Sequence, residues 1–277
     1  MALQINAYAR HASVVKYTGS ETIVQIPKLY QGKPVTEILE DAFSGSQAEA
    51  VVLPDTLREI GDRAFFNCRK LRYIGYEQFR NVSDRKIPDS PMIPSVSVMP
   101  SRLGMVGSAA FKGSALKEVV FRADYVLLAK SAFESCASLK LVSFPDCTGL
   151  TLGKRVFMNS SLEILSAPKA ISVTVPEHAF SGCVKLAVID MKIDAVGTKS
   201  FYNCRNLQKL NIPNKLRHIG HEAFEGCSRL QLPDQAAEKY TPLFTPEPED
   251  DVFDCFTDLF LDLKDSSEAD TDGFEDE

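Results

Sequence analysis

Apolar residues in this chain return in a fixed order at a period near 23 residues. Phe43, Phe65, Phe111, Phe133, Phe157, Phe180, Phe201 and Phe224 each follow Ala, Ser or Val, and each precedes Gly, Asn or Ser by two positions. Their gaps are 22, 46, 22, 24, 23, 21 and 23, so the one long gap is twice the period. The clearest unit reads Leu207-x-x-Leu210-x-Ile212-Pro213, then Leu216-x-x-Ile219-Gly220, then Ala223-Phe224-x-Gly226-Cys227. Its first part ends in a period of two, which predicts a short strand with alternate side chains in a core. Proline ends that strand after its last paired residue. Leu-x-x-Ile-Gly predicts a second short extended run closed by a turn. Ala-Phe predicts a helical or 3₁₀ turn, with Phe filling the wide part of a coil. One such coil cannot bury its apolar set alone, whereas coils stacked at about 4.8 Å per parallel strand bury it continuously.

A period between about 20 and 29 residues is the signature of leucine-rich-repeat solenoids. The expected fold class is therefore an α/β repeat solenoid: right-handed, with short parallel strands joined by short helical or 3₁₀ turns. It spans residues 1–240. In the first strand of each coil the named apolar positions enter the core and the intervening ones face outward. One outward column reads Arg72, Lys117, Lys140, Glu163, Ala187, Gln208; the next reads Tyr73, Glu118, Leu141, Ile164, Val188, Lys209. Leu141, Ile164 and Val188 thus form an apolar strip on three successive coils, and contiguous exposed apolar surface marks interaction sites. The alternative is a different strand phase that places these three in the core. Arg72, Tyr73, Lys117, Lys140, Leu141, Ile164, Val188 and Lys209 are the candidate partner-binding residues.

The unit Ile-Pro…Val/Leu-x-x-Ile-Gly-x-x-Ala-Phe-x-Gly/Asn-Cys-x-x-Leu resembles the BspA-type (Treponema pallidum-type) leucine-rich repeats over roughly residues 14–232. Tyr17-Thr18-Gly19…Val24-x-Ile26-Pro27…Gly32-Lys33-Pro34-Val35-x-x-Ile38 resembles the first coil of that family. The resemblance implies a protein-binding solenoid and supplies no catalytic residues. Many members are surface or secreted proteins implicated in adhesion, so a surface or secreted adhesin is the alternative reading, and a structural scaffold a further one.

Charge changes the picture at one end. Residues 247–277 hold 14 Asp or Glu and one Lys, a net of −13, while residues 1–246 carry +7. The last part, 241–277, reads as an acidic tail. Within it Val252, Phe253, Phe256, Leu259, Phe260 and Leu263 recur at helical spacing, which predicts a short amphipathic helix over about 251–263. That helix either caps the solenoid or docks, as an acidic and apolar peptide, on a partner or on the basic body. Residues 76–98, with Pro88, Pro91 and Pro94, fill the long gap as a degenerate coil or an extruded insertion. The N-terminal residues show no secretory signal and no run of 18 apolar residues occurs, which predicts a cytoplasmic protein, or one exported by an unconventional route.

Candidate chemistry is sparse. Cys68, Cys136, Cys183, Cys204 and Cys227 occupy one column, three residues after each Phe, where Ser46, Ser114 and Ser160 stand in the other coils. The next Leu comes six residues after the Phe in the Cys coils, and five after it at Leu116 and Leu162. Column residue and turn length vary together, as packing requires, and no Cys-x-x-Cys pair suggests a metal. Cys147 and Cys255 fall outside the column. No phosphate loop, Gly-x-Ser-x-Gly elbow or calcium loop is present. No basic cluster interleaves with aromatics. The expectation is a non-enzymatic protein without cofactor or metal, binding protein rather than nucleic acid.

Overall fold

The structure, a computed structural model, describes residues 2–76, 95–210 and 217–230. All belong to the first of two compact units, Met1–Leu243. The acidic tail 241–277 and its helix 251–263, and most of the 76–98 interruption, lie outside the described residues.

Each coil contributes one strand to a front ladder and one to a back ladder. The front ladder runs Ile23–Gln25, Ala50–Val52, Tyr73–Gly75, Val96–Val98, Glu118–Val120, Leu141–Ser143, Ile164–Ser166, Val188–Asp190 and Lys209–Leu210. The back ladder runs Ala12–Tyr17, Lys33–Ile38, Glu59–Ile60, Met105–Val106, Tyr125–Leu128, Gly149–Leu152, Val173–Val175, Ile193–Val196 and His218–Ile219. Within each ladder, paired coils meet in parallel. Leu3–Ala7 pairs antiparallel with Ala12–Tyr17 and closes the N-terminal end.

A third column holds the phenylalanines. The rings stack from Tyr17 through Phe43, Phe65, Phe111, Phe133, Phe157, Phe180 and Phe201 to Phe224, with centroids 4.9–5.6 Å apart. Offset stacking at this spacing adds to the burial of each ring. The expected helical turn is not there: among the described residues no helix forms. The Phe N–H donates instead to the carbonyl of the residue before the next Phe, as Phe65 does to Ala110 and Phe133 to Val156, both at 2.8 Å. Two left-handed residues bracket each Phe. Asn67, Ser135, Asn159 and Asn203 lie two positions after it at φ of 54–59°, with Gly45, Gly113, Gly182 and Gly226 in the same column at 70–78°. Asp41, Arg63, Ala109, Ser131, Arg155, His178, Lys199 and Glu222 lie two before it at 51–60°. Left-handed residues cannot propagate a right-handed helix, so the segment is a turn whose amides bond between coils.

The back ladder breaks between Gly149–Leu152 and Val173–Val175. Elsewhere the residue after each back strand donates its N–H one coil back, as Gly153 does to Leu128 and Gly197 to Val175, both at 2.7 Å. The equivalent residue after Val175 is Pro176, which has no N–H.

The long gap adds half a coil. Phe65 stacks directly on Phe111 at 5.3 Å, and Glu59–Ile60 pairs directly with Met105–Val106. In the front ladder, however, Tyr73–Gly75 is followed by Val96–Val98: Tyr76 N–H reaches Val98 O at 3.3 Å, and Ile74 N–H donates to the buried Ser97 Oγ at 3.0 Å. Between these coils the front ladder therefore carries one strand more than the back ladder and the Phe column. The Ser97 hydroxyl takes the place of a backbone acceptor there, which explains the ladder break at that step.

Candidate functional site

The front face is where the predicted site residues meet. In Glu118–Val120, Leu141–Ser143, Ile164–Ser166 and Val188–Asp190 the central residues Val119, Val142, Leu165 and Ile189 are buried in the core. Alternation then turns their neighbours outward. Glu118 pairs with Leu141, Leu141 with Ile164, Ile164 with Val188 and Val188 with Lys209. Ile164 is exposed at the centre of this row, and Leu141 and Val188 flank it half-buried. The strand phase read from the sequence holds for these three.

Tyr73 does not join them. It was expected to face outward, but it is fully buried and lies outside the main core cluster. It sits opposite Ala50 where the front ladder takes in its extra strand, and that crowding removes it from the surface.

The charged members border the row. Lys117, Lys140 and Lys209 are exposed. Lys140 approaches Glu163 at 4.0 Å, while no carboxylate pairs with Lys117 or Lys209 among the described residues. Arg72 is tied to Glu49 across one coil step. On the other side of the row stand Val120, Ser143, Ser166 and Asp190, with the Ser166 hydroxyl donating to Asp190 at 3.2 Å. The result is an apolar row with Glu118 and Lys209 in register at its two ends, Lys117, Lys140 and Glu163 along one side and Ser143, Ser166 and Asp190 along the other. Other exposed apolar residues, such as Leu29, Tyr125 and Val184, form no comparable in-register row.

The cysteine column has a role in packing. Cys68, Cys136, Cys183, Cys204 and Cys227 each donate S–H to the carbonyl of the Phe one coil earlier, at 3.0–3.1 Å. Burial pushes the Cys68, Cys136 and Cys183 thiols up to about 11, so they stay protonated donors. Cys147, for which the sequence suggests no role, is buried beside Gly149 with its S–H on that residue's carbonyl at 3.1 Å. Among the described residues no three His, Cys, Asp or Glu side chains come together to hold a metal ion. His178 and His221 lie beside Glu177 and Glu222 on the turn edge, away from the front face. Among the described residues no helix is long and apolar enough to cross a membrane.

The sequence reasoning missed the left-handed column two residues before each Phe. Its residues share no chemistry, so composition carries no signal for it.

A comparison with curated proteins returned no match. Among solved structures the chain is similar to the Treponema pallidum leucine-rich-repeat protein, at 21% identity over 88% of this chain and 96% of that one, with a TM-score of 0.48. It is similar to a leucine-rich cell surface protein of Faecalibacterium prausnitzii at 20% identity, covering 83% of this chain and 92% of the other, with a TM-score of 0.31. The pneumococcal vaccine antigen PcpA follows at 15% identity, 83% and 78% coverage and a TM-score of 0.41. The family model of the BspA-type leucine-rich-repeat region matches in six copies over residues 20–140 and 104–231. With its repeat, its stacked phenylalanines and this match over most of its length, the chain belongs to the BspA-type leucine-rich-repeat family.

Proposed function

We propose that the chain is a non-enzymatic protein-recognition module that binds a partner across the front ladder at Leu141, Ile164 and Val188. The observation that supports this reading is the in-register row itself. Three apolar side chains on adjacent strands, about 4.8 Å apart, offer a ridge of roughly helical-turn spacing. Burying such a row contributes about 25 cal/mol per Å² of apolar area. The rim selects the ligand: among the described residues no carboxylate neutralises the charge of Lys117 and Lys209. The partner is therefore an acidic segment with apolar residues on one side. Rim charges act mainly on association rate and on salt dependence.

The test uses a defined probe, a fluorescent amphipathic peptide with aspartates on one face and Leu and Phe on the other. Ile164→Asp, at an already exposed position, is expected to keep its circular dichroism spectrum and to lose at least tenfold in affinity. Lys117→Glu with Lys209→Glu is expected to weaken binding several-fold and to flatten its dependence on salt. Equal binding by the parent and the folded Ile164→Asp variant rejects this face.

A further inference from the structure

The residues three positions after each Phe follow an order that packing alone does not require. They read Ser46, Cys68, Ser114, Cys136, Ser160, Cys183, Cys204, Cys227 along the stack. Through the first six coils serine and cysteine alternate strictly. Thiols there meet hydroxyls in the neighbouring coil: Ser114 Oγ lies 3.5 Å from Cys136 Sγ, and Ser160 Oγ lies 3.4 Å from Cys183 Sγ. Any two cysteines in that stretch are two coils apart, too far for a disulfide. At the C-terminal end the alternation stops and three cysteines follow one another.

Phe201 and Phe224, which carry the last two of these coils, stack at 5.4 Å with planes 5° apart. The backbones between them are joined by Phe201 N–H to Ala223 O at 2.8 Å and Asn203 N–H to Glu225 O at 2.7 Å. Residues in register at this spacing fall inside the Cα separation that a disulfide spans, about 4.4–6.8 Å. Cys204 is fully buried, whereas Cys227 is only half-buried. Reagent therefore reaches Cys227 first and finds Cys204 directly behind it.

We propose that Cys204 and Cys227 form a reversible redox pair, a disulfide-forming modification site at the C-terminal end of the described stack. The oxidant class is a small hydroperoxide. The Cys227 thiolate attacks its O–O bond, so that an S–O bond forms, the O–O bond breaks and the departing oxygen takes a proton. Cys204 then attacks the resulting sulfenic sulfur: an S–S bond forms, the S–O bond breaks, and water leaves with the Cys204 proton. Two thiols are oxidised and one hydroperoxide is reduced to an alcohol, or to water if the oxidant is hydrogen peroxide. The thiols already interact: their mutual contact holds Cys227 below the ordinary thiol range and, together with burial, pushes Cys204 far above it. A lowered attacking thiol beside a protonated resolving thiol is the arrangement this chemistry uses. The new bond staples the last described coil to its neighbour.

The experiment treats the full-length reduced chain with hydrogen peroxide, alkylates the remaining thiols and maps tryptic peptides without reductant. Cys183, Cys204 and Cys227 fall in different peptides, because Lys185, Lys199, Arg205, Arg217 and Arg229 separate them. The expected product is a Cys204–Cys227 cross-linked peptide, lost on treatment with dithiothreitol. With it comes a rise of a few degrees in the melting temperature that is absent in Cys227→Ser, a variant that copies the serines already filling this column. The inference is overturned if Cys227 proceeds to sulfinic acid while Cys204 stays alkylatable, if chains dimerise through Cys227, or if Cys183 or Cys255 is the partner. The peptide map of the parent chain decides this even if the variant fails to fold.

Discussion

Phe133→Ala is expected to destabilise the solenoid by about 3–5 kcal/mol, the largest loss of any single truncation in the stack. Phe133 is fully buried and its ring has three aromatic neighbours. Phe111 and Phe157 stack on either side at 5.1 and 5.6 Å, and Phe121 meets it edge-on at 6.4 Å. Truncation removes the transfer energy of the ring and leaves a cavity walled by rings fixed to backbone turns. Those turns cannot close over the gap, because the amides on both sides bond to neighbouring coils. The position is also central. Stability in a solenoid is close to a sum of coil and interface terms, so weakening one interior coil weakens two interfaces. Urea unfolding followed by circular dichroism should show a lower midpoint and a broader or two-step transition as the halves uncouple. Phe224→Ala, at the half-buried end of the ladder, should cost clearly less. Equal losses at the two sites would contradict the stacked-column account.

Gly107→Val is the second large effect, at about 3 kcal/mol, the upper end of the cost of overpacking. Gly107 ends a back strand with its N–H on Ile60 O at 2.7 Å. A Cβ there would stand 2.6 Å from Asp62 N and 2.6 Å from Gly61 C in the adjacent coil. Both are backbone atoms of residues tied to the next coil, by Gly61 N–H to Ile38 O at 2.7 Å and by Asp41 N–H to Asp62 O at 3.0 Å, so the coils themselves must part. Asp62 Oδ1 also accepts the Ser108 N–H at 2.6 Å, and that bond would be lost with the shift. Ala129 shows that the column holds a methyl where the coils are spaced for it, but Gly107→Ala puts the same Cβ against the same backbone atoms of the adjacent coil, so it should carry most of the cost of valine. Gly182 is glycine for a different reason. Its φ is +73°, and a Cβ would meet the exposed end of the Asn159 side chain, which can move away. Asparagine already occupies that column at Asn67, Asn159 and Asn203 with φ of 54–59°. Gly182→Asn is accordingly expected to stay within about 0.5 kcal/mol of the parent, since Asn tolerates the left-handed region. Thermal melts of these three variants separate steric contact between coils from backbone conformation as causes of glycine.

The glycine and asparagine column two residues after each Phe was plain in the chain because the backbone demand selects residue types. The column two residues before it was not. There the left-handed turn is held by bonds to adjacent coils, and Asp, Arg, Ala, Ser, His, Lys and Glu all adopt it. That hidden turn is why the expected helical or 3₁₀ turn gives no helix among the described residues. Similarly, the period locates the interruption after Ile74, and its length fits either a degenerate coil or an extruded insertion. Packing alone makes the half-coil, with Phe65 against Phe111 while Tyr73–Gly75 lies beside Val96–Val98.

Recurrence along the chain is enough to specify the repeat, the family and most of the side chains that fill the core, while it leaves two strand phases open for Leu141, Ile164 and Val188. Each of these follows from which residues return and at what spacing, and apolar burial responds directly to that pattern. Which members of a column touch is settled only by the packed coils. Packing buried Tyr73, broke the back ladder at Pro176 and set Cys227 against Cys204. The physical reason is that a residue's neighbours in a stacked coil lie about one period away along the chain. Their distance depends on how the backbones register, and no local pattern encodes it.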